Sequence, residues 1–360
     1  MKILFKTAIC AMALALSASS VSAKGDADGL KDAYKKYFTI GVALNPRNIS
    51  NPEQIEIIKK NFNSVTAENV MKPGEIHPAA DRWNFTQADA LADFCRQNGI
   101  KMRGHCLVWH SQFANWMFND ENGQPVSKEV FYERLKDHIN VVMNRYKDVV
   151  YAWDVVNEAM SDDPGKDYEG SFRRSQLYRL CGDEFIAKAF QFAHEADPNA
   201  VLVYNDYNAA NPHKTEYIYN MVKKMQENGV PINGIGMQGH YNIYDNPTIK
   251  NFEAAIKKYS ELVDNIHITE FDIRVNKEAG GQLQFSRQGV QITEEIKKMQ
   301  EEKYANLFEI LRKYKKVVKN VTFWNLGDRD SWLGAANYPL PFDENYQPKS
   351  VYYVIRDFKK

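Results

Sequence analysis

The sequence predicts a (β/α)8 barrel, a TIM barrel in one domain, on three observations. Eight short apolar or β-branched runs alternate with longer amphipathic stretches, the order expected of parallel βαβ units. The chain has 360 residues, enough for one barrel with its ring of helices. After the first two dozen residues, no Pro-, Gly- or Ser-rich linker and no low-complexity run divides it.

At the start of the chain, Lys2 and Lys6 precede an apolar stretch from Ala8 to Ala18, and Val21-Ser22-Ala23 offers small residues for cleavage. Residues 1–23 are therefore expected to be a signal peptide, too short to span a membrane, with residues 24–360 forming the folded domain. The expected strands lie at 38–43, 62–67, 100–105, 149–156, 200–205, 232–238, 266–271 and 321–326. Between them, helical periodicity marks 87–98, 131–146, 184–196, 214–228 and 248–262. The polar stretch 276–303 reads as a long loop plus a helix after the seventh strand.

Composition narrows the partner. Hydrophobic residues make up 44% and charged residues 26%, with a formal net charge of zero, and loss of Lys2 and Lys6 leaves the remainder slightly acidic. There is no basic footprint for nucleic acid or for acidic lipid. Beyond Cys10 the cysteines are Cys95, Cys106 and Cys181, too few and too odd in number for a disulfide framework, and their lack of CxxC spacing makes structural zinc a poor fit.

The residues just past each apolar run carry the chemistry. The second run leads to Glu68, Asn69 and Lys72, and the third to His105, Trp109 and His110. Later runs end in Asn157 and Glu158, Asn205 and Asp206, Gln238 and His240, Glu270 and Asp272, and Trp324. In a barrel these positions converge on the C-terminal face, where active sites of this fold lie. Strand ends turning polar at water would explain some of them, but not Trp, His, Gln and Glu at strand after strand. Two glutamates at strand ends, Glu158 and Glu270, are the pair that glycosidic cleavage requires.

At these residues the chain resembles glycoside hydrolase family 10, whose members are mostly retaining endo-β-1,4-xylanases on a (β/α)8 fold. The resemblance runs from about Phe38 to Asp357. Its motifs are Thr66 to Lys72, Arg103 to His110, Asn157-Glu158, Tyr204 to Asn208, Gln238-Gly239-His240, Thr269-Glu270, and Phe323-Trp324 through Asp330-Ser331-Trp332. It implies Glu158 as acid/base and Glu270 as nucleophile, with Asn157, His240 and Asp272 supporting them. It further implies Glu68, Asn69, Lys72, His105, Trp109, His110, Gln112, Asn205, Gln238, Trp324 and Trp332 as substrate-binding residues. The expected substrate is xylan and its oligosaccharides, and the expected protein is a secreted monomer, periplasmic or extracellular, with no cofactor. Two readings stay open beside this one: a β-1,4-glucanase on the same barrel, and a barrel that binds xylan without cutting it. The family pattern is left at Cys106, where threonine is usual, and at Asn325-Leu326-Gly327 after Trp324.

Two decoys are set aside. Gly234 to Gly239 satisfies GxGxxG but lies within the sixth strand run and opens no helix, so it is not a dinucleotide fingerprint. His105 and His110 lack the i, i+4 spacing of a helical zinc pair.

Overall fold

A computed structural model describes residues 28–163, 171–244, 246–276 and 290–358. The expected signal peptide and most of the loop after the seventh expected strand fall outside the described residues. Among the described residues lie nine parallel strands: β1 (Thr39–Leu44), β2 (Ser64–Ala67), β3 (Lys101–Trp109), β4 (Val150–Asn157), β5 (Val201–Asp206), β6 (Gly234–Met237), β7 (His240–Asn242), β8 (Asn265–Arg274) and β9 (Val318–Phe323). Each of β1 to β5 pairs with its successor, β6 pairs with both β5 and β8, and β9 joins β8 to β1. Eight strands thus form a closed ring. The short β7 lies outside it, pairing with the far end of β8 so that His240 faces Asp272 in register. Gly239, at φ +86, turns the chain between β6 and β7.

Helices cover the ring because their sequences are capped and one-sided. Asn51 accepts the N–H groups of Glu53 and Gln54 ahead of Pro52–Asn61. Ser127, Thr248 and Thr293 cap Lys128–Tyr146, Ile249–Tyr259 and Glu294–Lys313 in the same way, and such caps supply partners for otherwise orphaned donors. Glu184–Ala196 coincides with the expected helix. Among the described residues, no helix is long and apolar enough to cross a membrane.

The last strand starts earlier than the apolar run suggests, at Val318 rather than at 321. Polar Asn320 hid its start, and Thr322 is a second polar residue within it. Both are fully buried, and they bond to each other at 2.7 Å and on to Thr39 of β1 at 2.9 Å. The barrel interior is polar elsewhere too. Arg103 of β3 makes two hydrogen bonds to Asp154 of β4, at 2.6 and 3.2 Å, and one across the barrel to His267 of β8 at 3.0 Å. All three are buried, and pairing is what makes such burial tolerable. The positive charge of Arg103 and a bond from His105 outweigh burial at Asp154, holding its carboxyl down at about 2.

Candidate active site

A cleft of about 1220 Å³ opens at the C-terminal ends of the strands. It gathers Glu68, Asn69, Lys72, His105, Trp109, His110, Asn157, Glu158, Gln238, His240, Glu270, Trp324 and Trp332 from many different strand ends and loops. Register slips between β4 and β5 at Asp154/Val156, and between β8 and β9 around Ile268/Phe271. Such irregularities re-aim side chains near a site.

Glu158 follows β4 with φ +59, a left-handed conformation that costs a residue with a Cβ some strain and so needs support from its surroundings. Its carboxylate accepts the Trp109 indole N–H at 2.9 Å on one oxygen and the Gln238 amide at 2.9 Å on the other. The Asn157 amide also reaches it at 3.3 Å. His110 Nδ1 is 3.9 Å away; burial, then the charges of Arg173 and Lys214, lower the pKa of that imidazole.

Glu270 is set differently. It lies 5% exposed on β8, with one oxygen accepting from Asn205 Nδ2 at 2.9 Å and the other 3.1 Å from His240 Nε2. His240 Nδ1 is 2.9 Å from Asp272, and the Trp332 indole donates to the same Asp272 oxygen at 2.9 Å. Burial favours a neutral imidazole, but Asp272 and then Glu270 raise it to about 10. Burial alone would push the Glu270 carboxyl up. The His240 bond, with the positive field of His105 and His240, outweighs it and holds Glu270 below its ordinary range. One carboxylate is thus backed by an imidazolium, and the other by neutral indole and amide donors. The two are joined through amides, since Asn205 also donates to Asn157 at 2.9 Å and Gln238 to Asn157 at 3.3 Å.

This geometry is matched in sequence by a family model described as glycosyl hydrolase family 10, which covers residues 29–358. The chain belongs to glycosyl hydrolase family 10. Within the family it is 62% identical over 340 residues to an endo-1,4-beta-xylanase/feruloyl esterase of Xylanibacter ruminicola, spanning 92% of this chain but only 47% of that protein. It is 44% identical to a beta-1,4-xylanase of Dictyoglomus thermophilum, with 93% of each chain covered. A psychrophilic family 10 endo-beta-1,4-xylanase has a similar structure, with TM-score 0.88, 55% identity, and coverage of 92% of this chain and 100% of that one. So does an intracellular xylanase of Thermoanaerobacterium saccharolyticum, solved as a mutant in complex with xylotriose, with TM-score 0.81, 36% identity and coverage of 91% and 97%.

Not every residue expected on substrate from family 10 resemblance reaches the cleft. Gln112 is exposed and is not among the lining residues; its backbone, at φ +53, turns its carbonyl to the Gly74 N–H at 2.7 Å. Asn205 is fully buried beneath the cleft, where it binds Glu270 rather than facing solvent. Asp272 lies equally deep, behind His240. Conversely, Asp162, Arg173, Asn211, Asn242, Tyr244, Asn246 and Arg274 line the cleft, although nothing in the sequence singles them out. Most sit on loops past the strand ends, where no periodicity marks them. Tyr207 and Asn208 are visible in the sequence only as part of a motif. Cys106 is fully buried, and burial pushes its thiol well above the usual range.

Proposed function

We propose that the protein is a secreted endo-β-1,4-xylanase that cuts internal bonds of xylan with retention, through a covalent glycosyl-enzyme. Residues 1–23 would serve as its signal peptide, and 24–360 as a monomeric catalytic domain that needs no cofactor. The observation that carries the mechanism is the unequal backing of the two carboxylates. Glu270, kept ionised by His240, suits attack on the anomeric carbon. Glu158, among neutral donors at the mouth of the cleft, suits delivery of a proton to the leaving sugar and later deprotonation of water. Asn157 would bind the 2-hydroxyl of the attacked sugar, the role the family resemblance implies for it, through a bond that strengthens as oxocarbenium character develops. Glu68, Asn69, Lys72, His105 and Gln238 offer hydrogen bonds to sugar hydroxyls, while Trp109, Trp324 and Trp332 offer flat apolar faces. The substrate class is supported by the xylanase relatives.

Two measurements test this. NMR of early product from a β-linked substrate should show the β-anomer before mutarotation; an initial α-anomer would mean inversion through water. Glu158→Ala should lose roughly 10²- to 10⁴-fold on xylan while sparing the first step on aryl glycosides with good leaving groups. Glu270→Ala should lose both activities.

A further inference from the structure

The three residues Glu158, Ala159 and Met160 carry the acid out of β4, and their backbone is held from two sides. The Glu158 N–H donates to the Asn205 carbonyl at 2.9 Å. The next two N–H groups, of Ala159 and Met160, both donate to one atom, the Tyr204 hydroxyl oxygen, at 3.0 and 3.1 Å. From the other side Arg173 Nε donates to the Glu158 carbonyl at 2.9 Å. Tyr204 itself is fully buried, does not line the cleft, and can touch no substrate.

A phenol has one proton and two lone pairs. In Tyr204 all three are committed, because the proton goes to Asp206 Oδ2 at 2.5 Å. Asp206 is fixed in turn by the buried Lys214 ammonium at 2.9 Å, and Lys214 also reaches Asp162 at 2.7 Å. A carboxylate only accepts, so this chain has a direction. Lys214 faces Asp206 Oδ1 as its counter-ion, Asp206 Oδ2 accepts the phenol O–H, and the phenol oxygen is left to receive the two backbone donors beside Glu158.

We propose that Tyr204 is a positioning residue for Glu158: its hydroxyl fixes the strained backbone that carries the acid, and so aims the carboxyl at the departing sugar oxygen. The proposal rests on the reading of Glu158 as the acid. A misaimed acid penalises only those substrates whose leaving group needs a proton. Loss of packing or of sugar binding would penalise every substrate alike.

The test is kcat/KM, which reports the first, glycosylation step, on a linear xylo-oligosaccharide and on 2,4-dinitrophenyl β-xylobioside. Tyr204→Phe removes one oxygen and keeps the ring. It should lose roughly tenfold or more on the oligosaccharide and less than about threefold on the aryl glycoside, with the deficit in kcat rather than KM. Asp206→Asn, which keeps every heavy atom position, should show the same split to a smaller degree. It decides the matter if Tyr204→Phe does not fold. Glu158→Ala run alongside separates the two ideas. If it too falls equally on both substrates, Glu158 is not the acid and the proposal goes with it. If Glu158→Ala shows the split while the Tyr204 and Asp206 variants lose both activities equally, or lose none, the positioning role alone is overturned. Failure of both of those variants to fold would also overturn it, since the contacts would then serve stability alone.

Discussion

His240 lies between two carboxylates, and only its protonated form can donate to both at once. Its pKa is raised to about 10 in the folded protein. The stabilisation it gives is therefore fully present below the unfolded value near 6.5 and is lost as pH rises through about 10. Glu270 is shifted down, so its contribution is present above the unfolded value and disappears as pH falls through the folded one. The two shifts predict one mutant phenotype. In His240→Asn the nucleophile loses its cationic partner, so the acidic limb of kcat/KM against pH should move to higher pH while activity falls by about 10- to 100-fold. An acidic limb that stays in place would show that His240 does not tune Glu270. Trp332 bears on the same group, with its N–H on Asp272 at 2.9 Å and its ring 4.8 Å from that of His240. In its proposed role as an apolar face for a sugar ring, its indole would also crowd the hydroxymethyl group of a glucose. Trp332→Ala should narrow the xyloside to glucoside ratio by an amount corresponding to about 1 to 3 kcal/mol. Trp332→Phe keeps a ring, so it should preserve more of that ratio yet still lower kcat. Matched aryl disaccharides measure both, and an unchanged ratio in the Ala variant would leave Trp332 as a stacking surface only.

At the scale of strands and helices, close approach in the barrel wall constrains the site above it. Gly236 of β6 sits against Asn205 of β5, and a Cβ there would lie 2.3 Å from the Asn205 side-chain oxygen and 3.0 Å from the Thr269 methyl. Asn205 is the amide that holds Glu270, so the overlap cannot be relieved without moving the nucleophile's partner. Gly236→Ala should destabilise by about 1 to 3 kcal/mol through overpacking, and should depress activity further than the fraction unfolded explains. Denaturant midpoints with parallel rate measurements decide it, and a stable variant with full activity would refute the linkage. These elements also show what the residue string discloses. Glu184–Ala196 is legible because its apolar stripe repeats at helical spacing. Pro52–Asn61 and Ser350–Arg356, 10 and 7 residues long, escape a reading by period because they are shorter than the stretch over which a helical repeat declares itself. The interior ladder of Arg103, Asp154, His267, Asn320 and Thr322 cannot be read at all, since a strand buried on both faces is expected to be apolar. Glu158 and Glu270 are readable through motif and position, whereas Gln112 and Asn205 need backbone direction and depth, which no linear spacing encodes.

For the molecule as a whole, acid stability is a contest between buried groups. His138 lies on the helix Lys128–Tyr146, its Nδ1 3.3 Å from that of His77. Burial, then the neighbouring His77, lowers its pKa to about 3. The unfolded chain takes up this proton near pH 6.5 and the folded one does not, so stability should fall as pH drops from about 6.5 to 3, by up to about 1.4 kcal/mol per unit for one such group. Asp206 and Asp328, whose burial raises them to about 6, act in the opposite sense from about pH 6 down to the unfolded value near 3.9. The prediction is therefore differential. His138→Asn keeps an atom near Nδ1 and should lower stability at pH 7 but flatten its decline between pH 6.5 and 4. Urea unfolding across that range is the measurement, and parallel slopes for variant and wild type would dismiss the histidine.

The seam between β1 and β9 has a consequence for how the protein is made. Thr39 and Asn320, bonded across it, are 281 residues apart in sequence, and Tyr34 reaches the Ile355 carbonyl across 321. A ribosome delivers the first strand long before the last. Until then the sheet has two open edges with unpaired backbone groups, and the loop to be closed is nearly the length of the chain. The nascent polypeptide therefore cannot close the ring until β9 has been made. For the export proposed above this delay is useful, because the chain stays threadable while synthesis continues. It also leaves the half-made sheet with open edges that favour edge-to-edge aggregation.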